Sequence, residues 1–253
     1  MSAVSVKMSC RMAETVVLLH GFAGTRHAWD LVADRLDPER YRPLALDLRG
    51  HGAARDARPI TFAACAADVL AGAPERFVLC GYSLGGRVAL HVALADPARV
   101  SRLVLVASTA GIEDPALRAE RRAADERLAA ETEQGTIEAF ADRWSQLPLF
   151  AGTPAAAAAF WRTDLLRNDP AALAAALRGI GAGVMEPLWD RLGELDGMPV
   201  TIIAGERDGR YAALGRRLAG ALPGARMLVV PGAGHGLPRE APQAVAAAIA
   251  TTE

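Results

Sequence analysis

Three residues far apart in the chain carry the side chains of a hydroxyl, imidazole and carboxylate proton relay: Ser83, His235 and Asp208. Ser83 is the centre of Gly81-Tyr82-Ser83-Leu84-Gly85, a G-x-S-x-G turn between an apolar run and a helix-like one. Such a turn forces the serine backbone into a strained conformation, and its flanking glycines let strand and helix approach without Cβ clashes. The hydroxyl is held out at the strand's carboxyl end, where the first amides of the following helix point at any negative charge that develops. Asp208 follows one late apolar run and His235 follows the next. Placed at neighbouring strand ends, His235 would take the Ser83 proton while Asp208 fixes the imidazole tautomer. Asp190 and Asp196 compete for the acid position, but both precede the late strand and fall on the wrong side of it. His20 and His51, each in a glycine-rich loop, read as structural hydrogen-bonders rather than bases.

The elements that must position these residues follow from hydrophobic runs. Residues 15–19, 43–48, 77–80, 102–107, 199–204 and 227–230 read as strands, and Val4, Val6 and Met8 alternate with polar residues like an edge strand. Helices are expected over 28–36, 61–70, 84–94 and 242–250. Strands alternating with helices imply an α/β fold with a mostly parallel sheet flanked on both faces, whose sites lie outside the strands' carboxyl ends. After Gly111 the strand-like runs stop, and helices are expected at 116–133, 136–145, 154–167 and 170–180. The expected organisation is therefore a core of 1–111 and 191–253 interrupted by a helical cap, 112–190.

Composition narrows the function classes. The 253 residues, 51% of them hydrophobic, suffice for one α/β domain with an insertion, and a formal net charge of −1 provides no global positive field for nucleic acid or an anionic membrane. Three cysteines without C-x-x-C spacing argue against a disulfide framework or a zinc site, and Cys80 reads as a small buried hydrophobe. No signal-peptide core and no apolar stretch of membrane-spanning length is present, so the expected compartment is the cytoplasm. The oligomeric state is not legible.

The Ser…Asp…His order and the elbow make the whole chain resemble the α/β-hydrolase superfamily. Within it the chain is similar to the 2-succinyl-6-hydroxy-2,4-cyclohexadiene-1-carboxylate synthases of menaquinone biosynthesis. The similarity rests on Gly81-Tyr82-Ser83-Leu84-Gly85-Gly86-Arg87, Glu120-Arg121-Arg122-Ala123-Ala124-Asp125 and Trp144-Ser145-Gln146-Leu147-Pro148-Leu149-Phe150. It extends over Leu166-Arg167-Asn168-Asp169-Pro170, Leu177-Arg178-Gly179-Ile180-Gly181-Ala182-Gly183 and Pro187-Leu188-Trp189. The cap segments are the more telling ones, because caps vary most among these enzymes. Ala53-Ala54, where the family commonly carries a serine nearby, and Ser145, where an aromatic sometimes stands, depart from the pattern.

The resemblance implies a lyase that eliminates pyruvate from a cyclohexene tricarboxylate without metal or organic cofactor. Ser83, activated by His235 and Asp208, would be the base, and the N–H groups of Phe22 and Leu84 would form the oxyanion hole. A small-molecule polycarboxylate needs fixed cations, and planar guanidinium groups suit carboxylates best. Arg87 lies one helical turn after Ser83, and Arg121 and Arg167 match the family's cap arginines, with Arg122 a rival to Arg121. Tyr82 could hydrogen-bond substrate and Trp144 would supply an apolar wall. Two other readings use the same fold: an ester or carbon–carbon bond hydrolase with Ser83 as nucleophile, and a ligand receptor without catalysis.

Overall fold

The structure, a computed structural model, describes residues 13–251. Six parallel strands form one sheet: β1 (Glu14–Leu19), β2 (Tyr41–Leu46), β3 (Phe77–Tyr82), β4 (Val100–Val106), β5 (Val200–Gly205) and β6 (Arg226–Val230). Their spatial order is β2-β1-β3-β4-β5-β6. The alternating residues Val4, Val6 and Met8 lie outside the described residues.

The helices are α1 (Asp30–Ala33), α2 (Phe62–Gly72), α3 (Leu84–Ala95), α4 (Pro115–Gln134), α5 (Ile137–Ser145), α6 (Ala155–Leu165), α7 (Pro170–Ile180), α8 (Gly209–Ala221), α9 (Leu237–Glu240) and α10 (Pro242–Ala250). Residues 28–36, expected as one helix, instead form a 3-10 turn over Arg26–Trp29 followed by the single turn α1. Thr25 caps that 3-10 turn by accepting from the His27 N–H. No expectation was attached to α8, whose pattern Gly209, Gly215 and Gly220 dilute.

Side chains alternate between the two faces of the sheet because the strand period is two. Val17, Leu19, Leu79, Leu103 and Leu105 face a core closed by α2, α3 and α8. Val16, Leu18, Val78, Cys80, Val104 and Val106 face a second core closed by α1, α9 and α10. Both faces of β1, β3 and β4 are thus buried, so these strands read as continuous apolar runs rather than alternating ones.

The chain runs outward from β1 to β2 and then crosses to β3 on the other side of β1. The carboxyl ends of β1 and β3 therefore border the point where the strand order reverses, and a crevice opens there. Above it lie α4 to α7, with α4 packed along α7. This helical layer is tied to the loop after β1: the Thr25 N–H donates to the buried Asp164 carboxylate at 2.8 Å, and the Asn168 amide donates to the Ala23 carbonyl at 3.0 Å. The Gly52 N–H in turn donates to the Asn168 amide oxygen at 2.9 Å. No helix among the described residues is long and apolar enough to cross a membrane.

Candidate active site

Ser83 stands at the β3–α3 turn with φ 52° and ψ −108°, a left-handed conformation a serine adopts only when its surroundings enforce it. The enforcement comes from glycines. A Cβ on Gly81 would lie 2.3 Å from the Gly85 carbonyl oxygen, one on Gly85 would lie 2.1 Å from the Leu19 carbonyl oxygen, and one on Gly86 would lie 2.5 Å from Ser108. Sequence and packing therefore agree that α3 sits directly on β1 and β3. Ser108, at the end of β4, donates from its hydroxyl to the Ser83 carbonyl at 3.0 Å and braces the turn.

The loops after β5 and β6 bring Asp208 and His235 to the same place. Asp208 Oδ2 is 2.6 Å from His235 Nδ1, and His235 Nε2 is 3.2 Å from Ser83 Oγ. With the carboxylate accepting from Nδ1–H, Nε2 is left as the acceptor for the serine proton. Both partners are buried, and Asp208 Oδ1 also accepts from the Tyr211 N–H as it caps α8. Glu240 secures the histidine loop from behind, accepting from Gly234 N–H at 2.7 Å and Gly236 N–H at 3.0 Å, one on each side of His235.

The loop after β1 is held by the two buried histidines. His20 Nε2 accepts from the Leu48 N–H at 3.0 Å, which leaves Nδ1 to donate to the Gly21 carbonyl at 2.7 Å. Burial lowers the pKa of His20 and holds that of His51 at about 3, so both rings stay neutral at physiological pH. Each ring is tied to backbone, His51 through Nδ1 at 3.2 Å from the Arg49 carbonyl, and neither is hydrogen-bonded to Ser83, Asp208 or His235 among the described residues. Their loop presents Phe22 beside the crevice, and neither Phe22 N–H nor Leu84 N–H meets a backbone or side-chain acceptor among the described residues.

A cavity of about 370 Å³ covers Ser83 and His235 and is closed by Phe22, Tyr82, Trp144 and Phe150. Its charged walls are Arg87, Arg121, Asp125 and Arg210. Arg87 is buried, donates to the Ile180 carbonyl at 3.2 Å and lies 5.8 Å from the Phe62 ring, with no carboxylate paired to it among the described residues. Desolvation draws its pKa down to about 10, still fully protonated at neutral pH. A buried guanidinium without a counter-charge is unfavourable unless an anion completes it. Arg121 reaches the cavity from α4 and is anchored by the buried Asp125 at 2.7 Å.

Arg122, the rival of Arg121, lies in a different groove alongside Glu126 and Arg178. Arg167 is a correction. It follows the last turn of α6, is half exposed beside Asp164 at 3.8 Å, and does not line the cavity, because Asp164 and Leu165 take the inward positions of that segment. Tyr82 is buried with its ring 5.3 Å from His235, and burial together with neighbouring acids raises its pKa well above the ordinary phenol value. Trp144 stands 5.1 Å from Phe22, between this cavity and a second, mainly apolar chamber of about 270 Å³.

Arg210, Tyr211 and Glu240 belong to the site yet carried no expectation. Arg210 is only two residues past Asp208, and a helix starting at the acid would have pointed to it.

A profile of the Alpha/beta hydrolase family matches residues 16–248. A Bacillus subtilis relative is 34% identical over 243 residues, 91% of this chain and 87% of its own. The 2-succinyl-6-hydroxy-2,4-cyclohexadiene-1-carboxylate synthase of Klebsiella pneumoniae is 33% identical over 240 residues, spanning 93% of this chain and 92% of its own. Among solved structures, MenH from S. aureus superposes with a TM-score of 0.87 at 28% identity, covering 95% of this chain and 93% of that one. The chain belongs to the alpha/beta hydrolase family, in the branch that holds the 2-succinyl-6-hydroxy-2,4-cyclohexadiene-1-carboxylate synthases.

Proposed function

We propose that this protein is a carbon–oxygen lyase that eliminates pyruvate from 2-succinyl-5-enolpyruvyl-6-hydroxy-3-cyclohexene-1-carboxylate, giving 2-succinyl-6-hydroxy-2,4-cyclohexadiene-1-carboxylate. The observation that carries the reading beyond the family is the buried Arg87, without a carboxylate partner among the described residues, in the same cavity as the Ser83 and His235 pair. A neutral ester would gain nothing from that cation, whereas a carboxylate would relieve its desolvation.

In this mechanism Ser83 Oγ removes a proton from a ring carbon of the substrate as its own proton passes to His235 Nε2. Asp208 stabilises the imidazolium through the 2.6 Å contact to Nδ1. The electron pair left on the ring forms the new ring double bond as the bond to the enolpyruvyl oxygen breaks. The departing enolate takes up the proton and becomes pyruvate. Charge that develops on the substrate is met by the N–H groups of Phe22, in the loop after β1, and Leu84, the first residue of α3. Arg87 and Arg121 hold substrate carboxylates, Tyr82 offers a hydroxyl and Trp144 an apolar wall. The chemistry needs no covalent acyl-enzyme and no bound cofactor, and its setting is the cytoplasm.

The apolar chamber beside Trp144 favours a second reading, hydrolysis of an ester whose apolar portion enters that space with Ser83 as nucleophile. One experiment separates them: pyruvate release from freshly generated substrate, wild type against Ser83→Ala, corrected for spontaneous elimination. Serine-dependent release supports the lyase. A wild-type rate equal to the uncatalysed one, with simple esters still hydrolysed, replaces it by the hydrolase.

A further inference from the structure

Two cavities meet at a pair of arginines. Arg121 and Arg210 line the catalytic cavity and also an outer groove of about 640 Å³ that runs along α4. Arg127 lines the outer groove, faced there by a single carboxylate, Glu120. The other carboxylate lining the junction among the described residues, Asp125, is occupied by Arg121 and the Gly183 N–H. Neither Arg127 nor Arg210 forms an ion pair among the described residues. The guanidinium groups therefore outnumber the carboxylates along a path from solvent to Ser83.

The position of Arg210 is itself unfavourable. It occupies the first turn of α8, where the helix dipole is positive and acidic residues are stabilising, yet no acidic residue stands in that turn. The Asp208 carboxylate at the N-cap of α8 is engaged by the Tyr211 N–H and His235 Nδ1 rather than by Arg210. Leu117, more than half exposed, and Ile112 make the remaining floor of the groove apolar. An apolar floor with cations on one side suits a ring bearing carboxylates.

We propose that Arg210, with Arg127 and Arg121, forms a vestibule that captures a carboxylate of the polyanionic substrate and passes it to the cavity, Arg210 setting affinity at the inner end. This rests on the polycarboxylate reading above. Capture by unpaired exposed cations raises the association rate and weakens with salt, whereas the buried Arg87 is screened little. The vestibule therefore acts on KM, and the groups at Ser83 act on kcat.

The test measures pyruvate release against ionic strength for wild type, Arg210→Ala, Arg127→Ala and Arg122→Ala, with fluorophosphonate labelling of Ser83 reporting a folded triad in each. In parallel, citrate, a stable trianion, is titrated calorimetrically into the same proteins. Arg210→Ala is expected to raise KM roughly tenfold and to weaken citrate similarly, the loss of one charge-assisted contact, with kcat within about twofold. Arg127→Ala is expected to flatten the salt dependence, and Arg122→Ala, in the other groove, to match wild type. Wild-type KM, salt slope and citrate affinity in Arg210→Ala would overturn the vestibule. If wild type releases no pyruvate while citrate binding still depends on Arg210, the vestibule stands and the lyase assignment falls.

Discussion

Replacing Arg87 by methionine separates what the guanidinium does for substrate from what it does to the fold. The side chain is 9% exposed, donates one hydrogen bond to Ile180 and has no carboxylate partner among the described residues. Burial holds its pKa at about 10, well below the ordinary guanidinium value. At about 1.4 kcal/mol per tenfold change in proton affinity, this is equivalent to about 3 kcal/mol against folding at neutral pH. The folded state holds that proton more weakly than the unfolded chain, so the penalty is constant below about pH 10 and shrinks only as pH rises beyond it. Methionine keeps the apolar contacts with Phe62 and removes the charge. It also strips the Ile180 carbonyl of its donor, which takes back about 1 kcal/mol. The net gain of about 2 kcal/mol raises Tm by about 4–8 °C for a domain of this size. Activity moves the other way. Losing one member of a desolvated charge pair costs about 2–5 kcal/mol, so kcat/KM for the polycarboxylate falls about a hundredfold, while a neutral p-nitrophenyl ester is turned over near the wild-type rate. Thermal unfolding by circular dichroism and the two assays read these outcomes. A Tm at or below wild type refutes the uncompensated cation, and equal losses on both substrates refute carboxylate recognition.

Three further perturbations follow from the same geometry. Asp164→Asn removes the charge that Thr25 grips and loosens the loop carrying Phe22 from α6; kcat is expected to fall about tenfold with little change in far-UV circular dichroism, and an unaltered kcat would show that the tie is idle. Gly86→Ala drives a Cβ into Ser108, 2.5 Å away, and is expected to destabilise by about 3 kcal/mol in urea unfolding; a wild-type midpoint would mean that α3 can move off β4. His51 is held neutral by burial at about 3, so the unfolded chain gains a proton that the folded state does not as pH falls below about 6.5, and stability drops by about 1.4 kcal/mol per pH unit from this residue. His51→Gln should flatten that acid limb between pH 6.5 and about 3, and an unchanged limb would assign acid lability elsewhere.

Much of the site is legible locally. The G-x-S-x-G turn between an apolar strand and a helix is self-contained, since the glycines are required by the very contacts that make the turn: Gly81 against Gly85, and Gly85 against the end of β1. Asp208 and His235 are legible because a parallel sheet puts every strand's carboxyl end on the same edge, so residues following different strands are neighbours by topology. The helices between β4 and β5 are different. Arg121, Arg122 and Arg167 are arginines in helical segments rich in other charges, and helical periodicity alone does not say which face meets the sheet.

Sequence by itself determined the six strands, the helices other than α1, α8 and α9, the strained serine, the order of the acid and the histidine, and the presence of a helical stretch between β4 and β5. Those features depend on short-range patterns and on the chirality of parallel crossovers. Only the tertiary structure decided that Arg121 faces the cavity while Arg122 faces another groove, that Arg167 turns outward beside Asp164, and that Arg210 joins the site from α8. It also decided that Arg87 has no carboxylate partner among the described residues. Whether a charge is paired, solvated or stranded depends on which distant elements come to lie against it, and that is settled by packing of α4 to α7 over the sheet rather than by any local pattern.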